Sequence, residues 1–326
     1  MSRSGCLVPL TLLIAAIPVG FVYLPGSVPV VLLAILLGVR AVRRAAEDER
    51  RRFREERARL QSIAPPVGTA WRALLAAEGL GAHVAALVPH VRPAVRVTTQ
   101  KADALPPGTS HFGGRPDLPD DLVWPRVDGR PLAFLAQIDL ADLADVARVQ
   151  PGGPLRAGHL WFFYDAKEEP WGFDASHAGG SRVLFRAPGT PLQASAAPPD
   201  ATETFPLCAL TFEAYEDPPG LDTETPPIQL EEAADETYRA IRSFLSSGIG
   251  GTAHKLLGHA DPIQGPMEPE CERLAGPGDW TLLLQLESDD TAGMSWGDLG
   301  RLYFWIRTAD LAVGRFDRIW TLLQCH

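Results

Sequence analysis

The hydrophobic pattern divides the chain at once. From Gly5 to Val39 no side chain is charged, a run of 35 residues, where about 20 apolar residues suffice to cross the hydrocarbon layer as a helix. Pro18 and the Pro25-Gly26-Ser27 step interrupt the run. The pattern therefore predicts a membrane anchor over residues 1–41, as a hairpin of helices at about 7–24 and 28–40 or as one tilted span. Residues 42–64 predict a solvated, charged helical linker. Glu47 precedes Arg51 and Glu55 precedes Arg59, i,i+4 pairs in their favourable order. Ala64-Pro65-Pro66 ends that helix, because a residue before proline avoids helical angles.

Beyond the linker, Trp71, Leu74, Leu75, Leu80, Val84 and Leu87 recur at helical spacing and predict a helix over 68–88. Val91 to Val97 alternates apolar and polar like a half-buried strand. The stretches 187–204 and 217–227 are rich in proline and read as loops. Between 230 and 247, Tyr238, Ile241 and Leu245 share one face of an amphipathic helix. Acidic residues lie near its start, where the helix dipole favours them, and Gly248 closes it.

The later strands repeat. Leu135-Ala136-Gln137-Ile138-Asp139 matches Leu283-Leu284-Gln285-Leu286-Glu287, and Gly158-His159-Leu160-Trp161 matches Gly300-Arg301-Leu302-Tyr303. Upstream, Ser110-His111-Phe112-Gly113-Gly114 aligns with His254-Lys255-Leu256-Leu257-Gly258, and Asp117 with Asp261. Two copies, about 110–165 and 254–307, predict an internally duplicated α+β domain over 65–326. Its sheets are expected to be mostly antiparallel or mixed, with flanking helices, since turns rather than regular helices separate the strands.

Charge adds orientation. Residues 1–62 hold ten Arg and five acidic residues, about +5, so the remainder of a chain of net −10 carries about −15. Arg40, Arg43 and Arg44 directly follow the apolar run, which places the following domain on the cytoplasmic side. The linker arginines also face anionic headgroups, so membrane lipid is one expected partner. A domain this acidic repels phosphate backbones, which argues against nucleic acid, and it favours a basic protein partner. Cys6, Cys208, Cys271 and Cys325 form no C-x-x-C pair, so neither a thioredoxin motif nor a structural zinc knuckle is expected.

Candidate chemistry is sparse. His254, His259 and Asp261 are close enough in sequence to suggest metal ligands, but Lys255 and the turn setting favour a structural role. Gly248-Ile249-Gly250-Gly251 with Lys255 imitates a phosphate loop, yet it follows a helix, where such a loop follows a strand. Glu287, Asp289, Asp290 and Asp298 form an acidic group beside Trp296, readable as a solvated turn or as a recognition surface. Gln137 and Gln285 sit at matching places in apolar strands, where a buried amide must find partners; the simplest expectation is that they tie the two halves together. Trp124 and Trp296, each beside a turn residue, are candidates for an exposed contact surface, whereas Trp161 and Trp305 belong to the core.

The segments S-H-F-G-G-R-P-D-L-P (110–119), Trp124-Pro125, L-A-Q-I-D-L (135–140), H-K-L-L-G (254–258), L-L-Q-L-E-S-D-D (283–290), W-G-D-L-G-R-L-Y-F (296–304) and Cys325-His326 together resemble the YwqG-like family of bacterial proteins. The resemblance covers about 65–326. It implies an internally duplicated α+β fold of unknown function and, through the genomic setting of some members, a link to toxin and immunity systems. The Leu257-Gly258-His259-Ala260 stretch departs from the family pattern, and the anchor is not a general family feature. The anchor then lies in the bacterial inner membrane.

Three functions follow as expectations. The first is a protein-binding module, immunity-like or envelope-associated, using residues among Gly113, Gly114, Trp124, Gln137, His254, Lys255, Gln285, Asp289, Asp290, Trp296 and Asp298, with no cofactor or metal. The second is a metal-dependent or hydrolytic enzyme built on His254 with Asp289, Asp290 or Asp298. The third is a scaffold. The anchor is directly testable: full-length chain should sediment with membranes in detergent-free lysate, with its carboxyl-terminal part shielded from protease added outside the cell. Recovery in the supernatant would contradict it.

Overall fold

The computed structural model describes residues 70–143, 157–223, 226–248 and 251–326, with isolated positions at Arg44, Arg52, Glu55, Arg59 and Leu60. The expected anchor over 1–41 and nearly all of the linker lie outside the described residues. Among the described residues, no helix is long and apolar enough to cross a membrane. The chain divides into Met1–Ile63 and Ala64–His326, and the architecture below is that of the second unit.

Its centre is a pair of long strands. β1 (Arg92–Lys101) and β10 (Cys208–Asp217) run antiparallel along their full length, from Arg92 opposite Asp217 to Lys101 opposite Cys208. Beside β1 lie β11 (His254–Leu257), β12 (Trp280–Glu287), β13 (Arg301–Arg307) and β14 (Ile319–Gln324). Beside β10 lie β2 (His111–Phe112), β6 (Ala133–Asp139), β7 (His159–Tyr164) and β8 (Ser181–Arg186). Every neighbouring pair in this ten-stranded sheet is antiparallel. Two small ribbons complete the strands: β3 (Asp117–Leu118) with β9 (Gln193–Ala194), and β4 (Arg126–Val127) with β5 (Arg130–Pro131).

The repeated segments occupy equivalent places on either side of the central pair. The central strands themselves are exchanged. β1 precedes β2 in the chain yet pairs with β11, and β10 precedes β11 yet pairs with β2. Each half therefore borrows its innermost strand from the other. The halves also share a kink: the ladder shifts register at Leu135 in β6 and at Leu283 in β12, matching β-bulges that bend the sheet.

This bending nearly closes the sheet on itself. Phe162 of β7 and Phe304 of β13 come from opposite halves, yet their rings meet edge-on at 5.3 Å. Leu160, Phe162, Leu302, Phe304 and Ile306 point into the enclosed core. Alternate residues Trp161 and Phe163, and Tyr303 and Trp305, point outward and are covered as well. That is why β7 and β13 read as unbroken apolar runs. The outer face of the second half is covered by α4 (Glu268–Ala275) through Met267 and Cys271. The outer face of the first half is covered by the β2–β6 connection through Leu118, Leu122 and Trp124.

Helix α3 (Glu232–Ser247) buries Tyr238, Ile241 and Leu245 and ends at Gly248 with φ 54°. The expected helix over 68–88 is broken. α1 (Ala70–Ala77) stops at Gly79, whose φ of 77° is left-handed, and α2 (Val84–Leu87) follows between two short 3-10 turns. The glycine overrides the apolar periodicity that continues through Leu87. Trp71 of α1 is buried and its Nε1–H donates to Glu216 at 2.7 Å. The described part of 218–227 is loop, but Asp217 closes β10, the expected loop 187–204 contains the short strand β9, and β1 is longer than its alternating core suggested.

Gln137 and Gln285 act within their own halves, not between them. Gln137 Oε1 accepts from Asp117 N–H at 2.7 Å, and its amide nitrogen donates to Thr109 O at 3.1 Å. Gln285 Oε1 accepts from Asp261 N–H at 2.9 Å, and its nitrogen donates to Ala253 O at 2.8 Å. Each amide thus fastens the segments that precede and follow β2 or β11 to the adjoining strand. Replacing either by Leu leaves buried backbone groups unpaired. Gln137→Leu and Gln285→Leu should each lower stability by about 1–3 kcal/mol in urea unfolding; an unchanged midpoint would show the loop amides to be hydrated.

Candidate functional site

The sequence candidates fall into four environments. The first centres on β11. His254 is wholly buried, with the Phe112 ring packed edge-on against it at 5.2 Å. Glu287 N–H donates to His254 Nδ1 at 3.1 Å, so the ring proton resides on Nε2, which donates to Asp289 Oδ2 at 3.2 Å. The same carboxylate oxygen accepts from Thr99 Oγ1 at 2.6 Å, and Oδ1 accepts from Thr291 N–H at 2.7 Å. Burial opposes charge on Asp289, but the bonds from His254, Thr99 and Thr291 outweigh it and hold the carboxyl well below the usual range.

This arrangement corrects the reading of 287–298 as one acidic surface. Asp289 is drawn inward by His254, whereas Asp290 and Asp298 are exposed. Asp298 accepts from His326 N–H through its backbone carbonyl. The enzyme expectation needs a histidine with a free nitrogen to take a proton. Both His254 nitrogens are engaged, one by backbone and one by Asp289. Among the described residues, no three His, Cys, Asp or Glu side chains are grouped to hold a metal. His259 donates from Nε2 to His90 O at 2.8 Å, and burial pushes its pKa down to about 4.

The second environment is the buried charge cluster around Lys255, a residue with 0% exposure. Its Nζ lies 2.8 Å from Asp261 Oδ2 and 3.1 Å from Asp217 Oδ2, and it donates to Ser246 Oγ at 3.3 Å. Arg242 of α3 lies 3.2 Å from Asp261 and donates to Pro218 O at 3.0 Å. Burial alone would raise the Asp261 carboxyl; Lys255, Arg242 and Arg301 overcome that and hold it low. Two cations balance two carboxylates, so the cluster carries no net charge, and it welds β10, β11 and α3. Asp217 and Arg242 were not singled out from the sequence. The signal was Lys255 itself, a cation in the apolar strand His254-Lys255-Leu256-Leu257, which demands buried carboxylates.

The third environment holds the glycines and tryptophans. Gly113 and Gly114 are both left-handed, at φ 57° and 67°. A Cβ on Gly113 would stand 2.1 Å from Pro206 O, so the close passage of 205–207 admits only glycine there. Leu257 holds the equivalent left-handed place at φ 61°. Trp296 corrects the expectation of an exposed contact: it is 1% exposed, packed between Tyr164 and Phe205. Trp124 is half-buried, its Nε1–H donating to Leu132 O at 2.9 Å.

The fourth environment was invisible in the sequence. Between β8 and β14, the two ends of the sheet, lies a cleft of about 600 Å³ lined by Tyr164, Val183, Leu184, Ile319, Trp320 and Thr321. Thr321 is 7% exposed and its hydroxyl has no hydrogen-bond partner. A smaller cleft of about 420 Å³ lies by His90, His259 and a row of prolines, Pro219, Pro262 and Pro266.

A family model described as "Domain of unknown function (DUF1963)" matches residues 110–325. The chain belongs to the DUF1963 family. The match begins at the Ser110-His111 turn and ends at Cys325, so it takes in both sheet ends and every candidate residue above. No curated protein matches the DUF1963 chain.

The depressed pKa of Asp289 has a sign. A carboxyl whose folded-state pKa lies below its unfolded value of about 3.9 stabilises the fold above that pH, and the contribution drains away as pH falls through the folded pKa. Asp289→Asn should therefore lower stability at neutral pH and flatten part of the stability loss below about pH 4. Parallel wild-type and variant curves in acid-unfolding experiments would refute the assignment.

Proposed function

We propose that this DUF1963 protein, of YwqG-like kind, is a binding module tethered to the bacterial inner membrane, its domain facing the cytoplasm and receiving a basic protein partner at the cleft between β8 and β14. One observation carries the reading: the sheet ends on two facing strands with a cleft of about 600 Å³ between them, within the range of cavities that bind ligands. The side chains that suggested catalysis are instead engaged in internal bonds, His254 to Asp289 and Lys255 to Asp217 and Asp261. The acidic excess of about −15 beyond residue 62 steers basic partners toward the domain. The uncharged run 5–39 followed by arginines supports the tether and its orientation. An immunity-like or envelope-associated role fits such a module.

A photo-cross-linking residue in place of Leu184, inside the cleft, should capture a protein in intact cells, whereas one at the 82%-exposed Val123 should not. Capture at both positions alike, or at neither, would overturn the assignment of the cleft.

A further inference from the structure

The cleft between β8 and β14 is a dead end. Cα atoms of the two strands come within 8 Å of each other, whereas a strand laid between them would need about 9.6 Å, twice the ordinary spacing. Pro170-Trp171-Gly172 closes one side. Leu323 N–H donates to Trp171 O, and Gly172 lies so close to Thr321 O that a Cβ there would collide with it. A chain cannot thread this junction, but a chain end can enter it from outside. What the end meets is partly the interior of the sheet. Tyr164 and Val183 belong to the enclosed core, and Ile319 packs against it. Thr321 alternates with Trp320 and Leu322, which point outward, so its side chain points inward too. That hydroxyl is buried, lines the cleft and has no hydrogen-bond partner among the described residues. A buried hydroxyl left alone is uncommon enough to point to an occupant that completes it.

The turn before β8 gathers hydrogen-bond donors at the same cleft. Gly172 N–H donates to His177 Nδ1 at 3.0 Å, so the neutral ring carries its proton on Nε2. Gly179 is left-handed at φ 96°, and a Cβ there would stand 3.6 Å from a terminal nitrogen of Arg182; the guanidinium therefore lies against the turn. One Arg182 nitrogen donates to Ser181 O at 2.8 Å. The other, the Gly179 N–H and the His177 Nε2–H have no acceptor among the described residues. His177, Gly179 and Arg182 all line the cleft, and Asp317 lines it from the β14 side, exposed and without an ion pair among the described residues. Three free donors, one of them cationic, beside an apolar wall match a carboxylate borne on an apolar residue. Resting on the binding-module reading above, we propose that the basic partner is held by its carboxyl terminus. The terminal carboxylate accepts from Arg182, His177 and Gly179, the last side chain lies against Val183 and Ile319, and a basic residue just upstream pairs with Asp317. One extended residue fills roughly 160 Å³ (about 3.3 by 4.8 by 10 Å), so two or three fit the cleft of about 600 Å³. The Thr321 hydroxyl gains a main-chain partner. Capture of a chain end by oriented N–H groups is an established mode of peptide recognition.

The test titrates the detergent-extracted full-length chain in a calorimeter with acetyl-Lys-Gly-X peptides in turn, X being Val, Leu, Ile, Met or Phe. Each is used as the free acid and as the carboxamide. At least one free acid should bind about tenfold or more tightly than its amide, the loss expected when a charge-assisted contact is removed. Arg182→Gln, at an exposed position, should weaken that acid about tenfold and leave the amide unchanged. Thr321→Val keeps the shape of the buried side chain and should weaken acid and amide alike. Should Arg182→Gln disturb the fold, Asp317→Asn serves instead: it should weaken the peptides with Lys and not the same peptides with Gln in that place. The protein cross-linked at position 184 separates the two readings, and the cross-link should map within its last three residues. A cross-link mapping far from that end would overturn recognition of the terminus while leaving the cleft a binding site. Acids that bind no better than amides, or no binding by any peptide, would do the same where position 184 still captures a partner. Absence of both binding and capture would overturn the cleft as a site.

Discussion

The antiparallel pairing of β1 with β10 holds the molecule together. Each strand belongs by sequence to one half and by hydrogen bonding to the other, so the repeats cannot separate into two independent sheets without breaking the longest ladder in the fold. Everything else is arranged about that pair. Four strands extend on either side of it, the matching bulges at Leu135 and Leu283 bend both wings the same way, and the wings meet across a core of Phe162, Phe304 and their neighbours.

A sheet buried on both faces leaves few places for polar groups, and several of those near its centre are paired with one another. The glutamines secure loop backbone, His254 and Asp289 satisfy each other, and Lys255 lies in a neutral cluster with Asp217, Asp261 and Arg242. These groups fix register and loop position. A buried ion cluster of this kind adds little net stability over an apolar replacement, but removing one member would strand the rest. The halves differ here: His111, the counterpart of Lys255, bonds to the local Gly113 carbonyl rather than to a carboxylate cluster.

The two ends of the sheet meet at a junction where the buried Thr321 hydroxyl has no hydrogen-bond partner among the described residues. Closure brings β8 and β14 face to face, and rings from either side touch there, Phe185 and Phe316 at 5.1 Å. The Trp171-Gly172 segment covers part of the β14 edge through the bond from Leu323 N–H to Trp171 O, and a cleft persists beside it.

The duplication, the strand content and the antiparallel sheet were legible in the letters, because alternation, turn residues and repeated motifs are local properties of sequence. The need for partners around Gln137 and Gln285 was legible too, since a polar group in an apolar strand must be satisfied, whereas His254 and Lys255, read as turn residues, lie in the buried strand β11. Which partners they would find was not. The Ser288-Asp289-Asp290 run has the composition of a solvated turn, and only the approach of His254 and Thr99 from distant strands draws Asp289 inward. Trp296 has turn residues on both sides, yet Tyr164 and Phe205 bury it. The exchange of β1 and β10, and the cleft that closure leaves, depend on pairings between strands more than a hundred residues apart. Hydrophobic periodicity specifies that a strand must be covered; the choice of neighbour is made by the three-dimensional competition among all of them.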